Sequence, residues 1–578
     1  MTFPVQTETQ TDFSHRVRER NLRRLKEETF DFLVIGGGIT GAGVARDAAR
    51  RGLKVALVER SDFAVGTSSR SSKLIHGGLR YLENFEFGLV FEALSERANL
   101  LKTAPHMVRP LKFYFPVYQG DANGRFVLMC GMWLYDLLSL FRAPGFHKSL
   151  SRKRMLREIP FLKKQGLQGG FSYYDASMWD DVMVVEVMRS AAQSDAVIAN
   201  YCEAVSPLWT KSPRGDKISG FKVRDTLNPK GEEFEIKAHR TIVCAGPWTD
   251  ELGQRMARDW KTWLSPSKGV HLIFDLKRIP IQGAMVMSHP VDGRISFVIP
   301  RPDFGSGVVV VGTTDGPSPA EPSLADVGRD DVDYLLDLLN RYFPDLELKA
   351  SDILSAYVGV RPLVGGDDAS IEKLQKVSRE HHIDVGPGRT TVVAGGKYTT
   401  YRKMAEEIVE FTLERWSADA ERERDDQPPA SLQNPNTREP MNPHATPEAI
   451  AKAKLMAASK KIDLPRELLE RYGANAWVVR ELSEKDPAPA IAWPEGFPDL
   501  GGQLRFCIRY EMTMHLRDFY FRRVPLYASR ADHGLPWAEA LSHIWADELG
   551  KDVADRIREL EQLRQEIAER SRWQSQLK

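Results

Sequence analysis

FDFLVIGGGITGAGVARDAARRGLKVALVER, residues 30–60, is the stretch on which the fold turns. Phe32-Leu33-Val34-Ile35 is an apolar run of the length expected for a buried parallel strand. Gly36, Gly38 and Gly41 follow in G-x-G-x-x-G spacing, then a helical pattern to about Arg51, then a second apolar run from Val55 that ends on Glu59. Strand, glycine turn, helix and strand make one βαβ unit. The glycines let the backbone approach a pyrophosphate, whose charge sits at the helix N-terminus. Glu59, about 20 residues on, is placed to accept hydrogen bonds from a ribose. The stretch therefore predicts an adenine dinucleotide near the start of the chain, without saying which one.

The length, 578 residues with 42% hydrophobic content, allows three or four domains and a sizeable core. A net charge of +1 gives no electrostatic reason to expect nucleic acid. Cys130, Cys202, Cys244 and Cys507 are scattered without metal-ligand spacing, as buried thiols in a reducing compartment would be. No metal site is predicted. The first 26 residues lack the apolar core of a secretory signal and read as a polar tail before a short basic helix. No run reaches the ~20 apolar residues of a membrane-spanning helix. The longest, 126–141, fits either a core helix or one lying in a membrane interface beside Arg125 and Arg142. Residues 505–527, mixing arginines with Phe, Tyr and Met, pose the same choice.

Residues 63–83 form a loop dense in Ser, Thr and Gly, offering hydroxyls and N–H groups beside the dinucleotide. A helix is expected over 87–103, an extended segment over 112–118, and a turn around Tyr173 leading into a Val/Met-rich helix. Short alternating runs over 204–237 predict an antiparallel meander that ends at the Gly246 turn. Alternating strands over 264–315 predict a mixed sheet. Gly395-Gly396 ends another strand before a helix, a second anion site by the same physics as the first. From this pattern the fold class is α/β. A Rossmann-like domain spans 29–263 with inserted segments and returns at 351–416, a sheet domain spans 264–350, and a helical domain spans 448–578. Residues 1–28 form an N-terminal extension and 417–447 a charged, then Pro/Asn-rich linker.

GGGITGAG, TSSRSSKLIHGGLRYLE, AGPWTD, SKGVH, GTTD, GVRPL and GGKYTTYRK together resemble the FAD-dependent glycerol-3-phosphate dehydrogenases, flavoproteins of the D-amino acid oxidase type. The likeness covers about residues 29–415 and is weaker beyond. It implies an FAD enzyme that oxidises sn-glycerol 3-phosphate to dihydroxyacetone phosphate and passes electrons to a membrane quinone. It also implies a monotopic protein on the cytoplasmic face of the membrane, often a homodimer. Carried over by motif, Gly36, Gly38, Gly41 and Glu59 bind the ADP half of FAD. Thr67, Ser68, Ser71, Ser72 and His76 line its pyrophosphate and flavin; Gly246, Gly395, Gly396 and Thr399 face it from the later turns. Arg80, Tyr81, Arg379 and Lys397 match substrate-holding positions, and His271 and Arg361 the catalytic ones. The pair Cys244-Ala245 departs from the Ala-Thr of many relatives.

The residue types fit that chemistry. A phosphate dianion needs fixed cations with forked donors, which Arg80, Arg361, Arg379 and Lys397 supply. Loss of a hydroxyl proton as hydride leaves calls for a base with a pKa near the operating pH, and His271 is the first candidate. Two rivals share the fold: a soluble oxidase using oxygen, and a D-amino acid or glycine oxidase. A flavin-binding regulator without catalysis is a third.

Overall fold

Two large sheets share the chain, and a helical layer closes over one side of them. The computed structural model describes residues 13–576 apart from 79–81, 83–84, 122–123, 141, 214, 229–230, 291, 366–380, 424–426, 431 and 485–491. Arg80, Tyr81 and Arg379 lie outside the described residues.

The first sheet is built on Thr29–Ile35. Val55–Val58 lies parallel to it on one side and Phe234–Val243 on the other, with Val197–Ala199 and Thr391–Gly395 extending the parallel core. Its central residues are fully buried on both faces, which is why these strands read as continuous apolar runs. Because the strands run the same way, their carboxyl ends share one edge. Ile35, Val58, Val243 and Gly395 therefore deliver their following turns to the same crevice, where ligands of open α/β sheets bind. Ile39–Arg50 packs over this sheet between Asp180–Ala192 and Tyr401–Glu423. The expected meander is Cys202–Thr210, Lys217–Asp225 and Phe234–Val243, antiparallel throughout.

Among the described residues the second sheet has ten strands, with Ser267–Asp275 between Val308–Gly312 and Ile353–Arg361. Strand membership does not follow the boundaries expected at 264 and 350. Leu74–Ile75, Val108–Tyr118 and Leu167–Met178 join this sheet from before, and Ile353–Arg361 from after. Ala284–Ser288 pairs in parallel with Val108–Tyr118, and this pairing joins the two halves into one sheet. The turn expected around Tyr173 is strand instead, because Leu167–Met178 pairs along its length with Val108–Tyr118.

The described residues of 447–576 are mainly helical. Residues 505–527, where the sequence left a packed helix and an interfacial one both open, are packed: Phe506, Ile508, Phe519 and Tyr520 lie in cores of this layer. Arg505, Arg522 and Arg523 are buried too. Arg522 and Arg523 grip the Asp62 carboxylate, at 2.6 and 2.9 Å, beneath the dinucleotide unit. Burial would raise the Asp62 carboxyl, but the two guanidiniums outweigh it and hold it at about 2. The linker is also anchored: Arg46 donates to Thr437 O and Arg50 to Pro435 O.

Candidate functional site

A cavity of ≈ 370 Å³ opens where the two sheets meet. One wall is the glycine turn. Gly36 has φ +116°, and a Cβ there would lie 2.3 Å from Cys244 O; a Cβ at Gly41 would lie 2.0 Å from Gly36 O. Only glycine fits either position, so the turn holds its backbone against the neighbouring strand and leaves the helix start facing the cavity. Gly38 caps that helix without a side-chain acceptor, and Ser68 Oγ accepts from Ile39 N–H at 3.0 Å. Glu59 accepts from Gly37 N–H at 2.6 Å and from Ser61 N–H at 2.9 Å, and so stands in the wall at the far end of the strand edge.

The serine loop forms the floor. Thr67 Oγ1 donates to Val360 O, and Ser71 is held by Asp180, which also pairs with the Lys73 ammonium. Thr67, Ser68, Ser71, Ser72 and His76 all line the cavity, as do Gly246 at the end of Phe234–Val243 and Gly395, Gly396, Lys397 and Thr399 at the last turn. Of the expected cofactor residues only Gly41 is set back from the wall, where it supports Gly36.

On the second sheet the motifs SKGVH, GTTD and GVRPL converge. Arg361 donates to Ser267 Oγ, Thr313 Oγ1 and the Asp315 carboxylate at 3.1–3.3 Å. Its guanidinium lies over Gly269, where a Cβ would sit 2.4 Å from it. His271 is 3% exposed and lines the same cavity. Its Nε2 meets Ser72 Oγ at 2.9 Å. Burial pushes the imidazole down to about 3, and the charges of Arg361 and Lys73 push the same way. The sequence argument required a base with a pKa near the operating pH. The site holds instead an imidazole that is neutral at all ordinary pH, because it is dry and beside cations.

Three neighbours carried no role in the sequence argument. Tyr357 stacks on His271 with ring centroids 4.8 Å apart. Arg70 reaches the cavity from the serine loop, bonded to Val358 O and pushed down to about 9 by burial, Arg570 and Arg522. Trp248 carries the Arg60 guanidinium 4.6 Å over its ring at the Glu59 end. Strand pairing brings Tyr357 in, which no local motif marks, whereas Arg70 and Trp248 stand within the serine-loop and AGPWTD motifs without a role assigned to them.

The chain matches the family model described as FAD dependent oxidoreductase over residues 31–402, and that of the C-terminal domain of alpha-glycerophosphate oxidase over 447–556. It is 34% identical over 540 residues to an aerobic glycerol-3-phosphate dehydrogenase of Staphylococcus saprophyticus, covering 92% of this chain and 93% of that one. The chain belongs to the FAD-dependent glycerol-3-phosphate dehydrogenases. A relative of the same description from Staphylococcus aureus is 39% identical over 405 residues, 70% of each chain. Among solved structures, the glycerol-3-phosphate dehydrogenase from Bacillus halodurans complexed with FAD superimposes with TM-score 0.75 at 29% identity, covering 96% of this chain and 98% of that one. FAD is the cofactor, and the cavity suits it: a glycine turn that no side chain could enter, an acid at one end and hydroxyls along the floor.

Proposed function

We propose that this enzyme oxidises the C2 alcohol of sn-glycerol 3-phosphate to the ketone of dihydroxyacetone phosphate and hands the electrons to a membrane quinone. The observation that carries the reaction is the meeting of His271, Arg361 and Lys397 in one cavity with the glycine turn and the serine loop. FAD, when bound, accepts the hydride that leaves C2. Arg361 and Lys397 hold the phosphate, and Arg80, Tyr81 and Arg379 join them by motif. His271 takes the hydroxyl proton as the C=O bond forms. It begins neutral, as an acceptor must, but Arg361 and Lys73 oppose its protonation. A phosphate dianion beside Arg361 would relieve that opposition, so the phosphate strengthens the base as well as anchoring the substrate.

The quinone and membrane reading is supported by the helix Arg125–Leu138. Phe126, Trp133 and Leu137 on it are 71%, 60% and 55% exposed, and Phe87 and Phe91 of the helix that packs against it are 40% and 42% exposed. Large apolar side chains bared on two packed helices are of the kind that meet a partner or an interface. The opposite face of the helix reaches the cofactor loop: Tyr135 OH accepts from Gly77 N–H at 3.0 Å and donates to Asp175. No helix among the described residues is long and apolar enough to cross a membrane. Anaerobic titration with glycerol 3-phosphate should bleach the flavin. Reoxidation by a short-chain quinone should then outpace reoxidation by oxygen. Rapid peroxide formation instead would identify an oxidase, and no bleaching would remove glycerol 3-phosphate as substrate.

A further inference from the structure

We infer that Tyr357 is a positioning residue that holds the His271 imidazole in its working orientation. The inference rests on the reading of His271 as the base. His271 lies directly opposite Tyr357 on one neighbouring strand and opposite Gly312 on the other. Directly opposed residues project from the same face of a sheet, so all three share the face toward the cavity. On the Gly312 side there is room only for hydrogen, since a Cβ would lie 2.3 Å from the imidazole Cδ2. On the other side Tyr357 presses flat on the ring, with an interplanar angle of 17°. The imidazole is thus wedged between a glycine and an aromatic plane.

The Tyr357 hydroxyl adds a second constraint. It donates to Ser71 O at 2.7 Å, and Ser71 adjoins Ser72, whose Oγ meets His271 Nε2 at 2.9 Å. One side chain therefore fixes both the plane of the ring and the loop that carries its hydrogen-bond partner. Rotation of the imidazole about Cβ–Cγ would break the Ser72 contact and drive the ring off the stack. His271 Nδ1 is buried with no hydrogen-bond partner among the described residues, so no other polar contact fixes the ring from that side. Without Tyr357 the Ser72 contact is left to resist rotation without the stack, and a misaligned base loses part of the factor of about 10²–10⁴ that general base catalysis supplies.

The experiment is stopped-flow flavin reduction by glycerol 3-phosphate in the FAD-loaded enzyme, with Tyr357→Leu, Tyr357→Phe, His271→Gln and the double variants. Tyr357→Leu removes the stack and should lower the limiting reduction rate about 10-fold or more, with apparent substrate affinity within about 2-fold and the bound-flavin spectrum unchanged. Tyr357→Phe keeps the stack, loses only the Ser71 bond, and should fall between. In the His271→Gln background neither change should slow reduction further, because the residue they position is gone. If Tyr357→Leu slows the His271→Gln enzyme as much as it slows the parent, Tyr357 acts elsewhere and the inference is overturned. If His271→Gln is as fast as the parent, the base reading itself falls. If His271→Gln is slow while both Tyr357 variants are fast, the base stands and the positioning role does not.

Discussion

Glycine works in two ways in this site, and only one of them can be explained from its local motif. At Gly36 and Gly41 it lets backbone meet backbone within a βαβ unit, a requirement that the spacing announces. At Gly269 and Gly312 it makes room for the side chains of Arg361 and His271, which arrive from pairing across strands. The first kind is legible from one stretch, while the second needs the register. Buried histidine shows the same limit. His106 stands in no motif, yet it is 4% exposed and neither ring nitrogen has a partner among the described residues. Burial, then Arg109, Arg189 and Arg471, push it down to about 3. A folded-state value below the unfolded one means that the unfolded chain binds the proton first as pH falls. His106 thus costs nothing above about pH 6.5, and its penalty grows as pH drops from there towards 3. His106→Leu cannot take up that proton. Urea melts at pH 7 and pH 5 should show the variant gaining on the parent by as much as about 1.4 kcal/mol per pH unit below 6.5. A constant difference between the two pH values would show that His106 titrates normally.

Helices and strands with strong periodicity were legible, and what they pack against was not. The helix over 87–103 and the strands of 264–315 fall where their apolar spacing predicts. The strand Leu167–Met178 did not announce itself, because its Ser, Asp and Gly residues are tolerated by pairing with Val108–Tyr118 rather than favoured by propensity. The two candidate interfacial segments looked alike in sequence, and packing separates them. Residues 505–527 bury their aromatics against other helices, whereas Arg125–Leu138 buries Met132, Tyr135 and Asp136 and leaves Phe126, Trp133 and Leu137 bare. The double variant Phe126→Glu, Trp133→Glu should lower co-sedimentation with anionic vesicles at least 10-fold. Burying each side chain is worth ~1.5–3 kcal/mol, and the new carboxylates are repelled by the lipid. Flavin reduction by glycerol 3-phosphate should be unchanged, since neither side chain lines the cavity. Vesicle binding equal to the parent's would remove this helix from the membrane reading.

At the scale of the whole molecule, the helical layer is tied into the cofactor unit by buried charge rather than resting on its surface. Asp62 sits between the acid at Glu59 and the serine loop, and Arg522 and Arg523 hold it with both side chains buried. Close by, Asn200 donates to Met512 O, and Ser355 Oγ donates to Ala528 O just before the strand carries Tyr357. None of this could be read in advance, because the partners are separated by 460 residues of chain and neither end carries a motif. Yet it follows from simple electrostatics once they meet. Removing one partner of a buried ion pair leaves uncompensated charge and costs ~3–5 kcal/mol, against ~0–1 kcal/mol for an exposed pair. Asp62→Asn strands two guanidiniums, although Asp518 still meets Arg522 at 2.8 Å and Glu511 still meets Arg523 at 3.4 Å. The loss should therefore fall near the lower end, ~3 kcal/mol in urea unfolding, and FAD should dissociate faster because the loop from Glu59 to Ser72 loses its clamp. Arg466→Gln, which breaks an exposed pair with Glu470 on the same helical layer, is the matched control and should change stability by less than ~1 kcal/mol. Equal stability of Asp62→Asn and the control would mean that the helical layer is held by its apolar contacts and that the buried pair contributes no net docking energy.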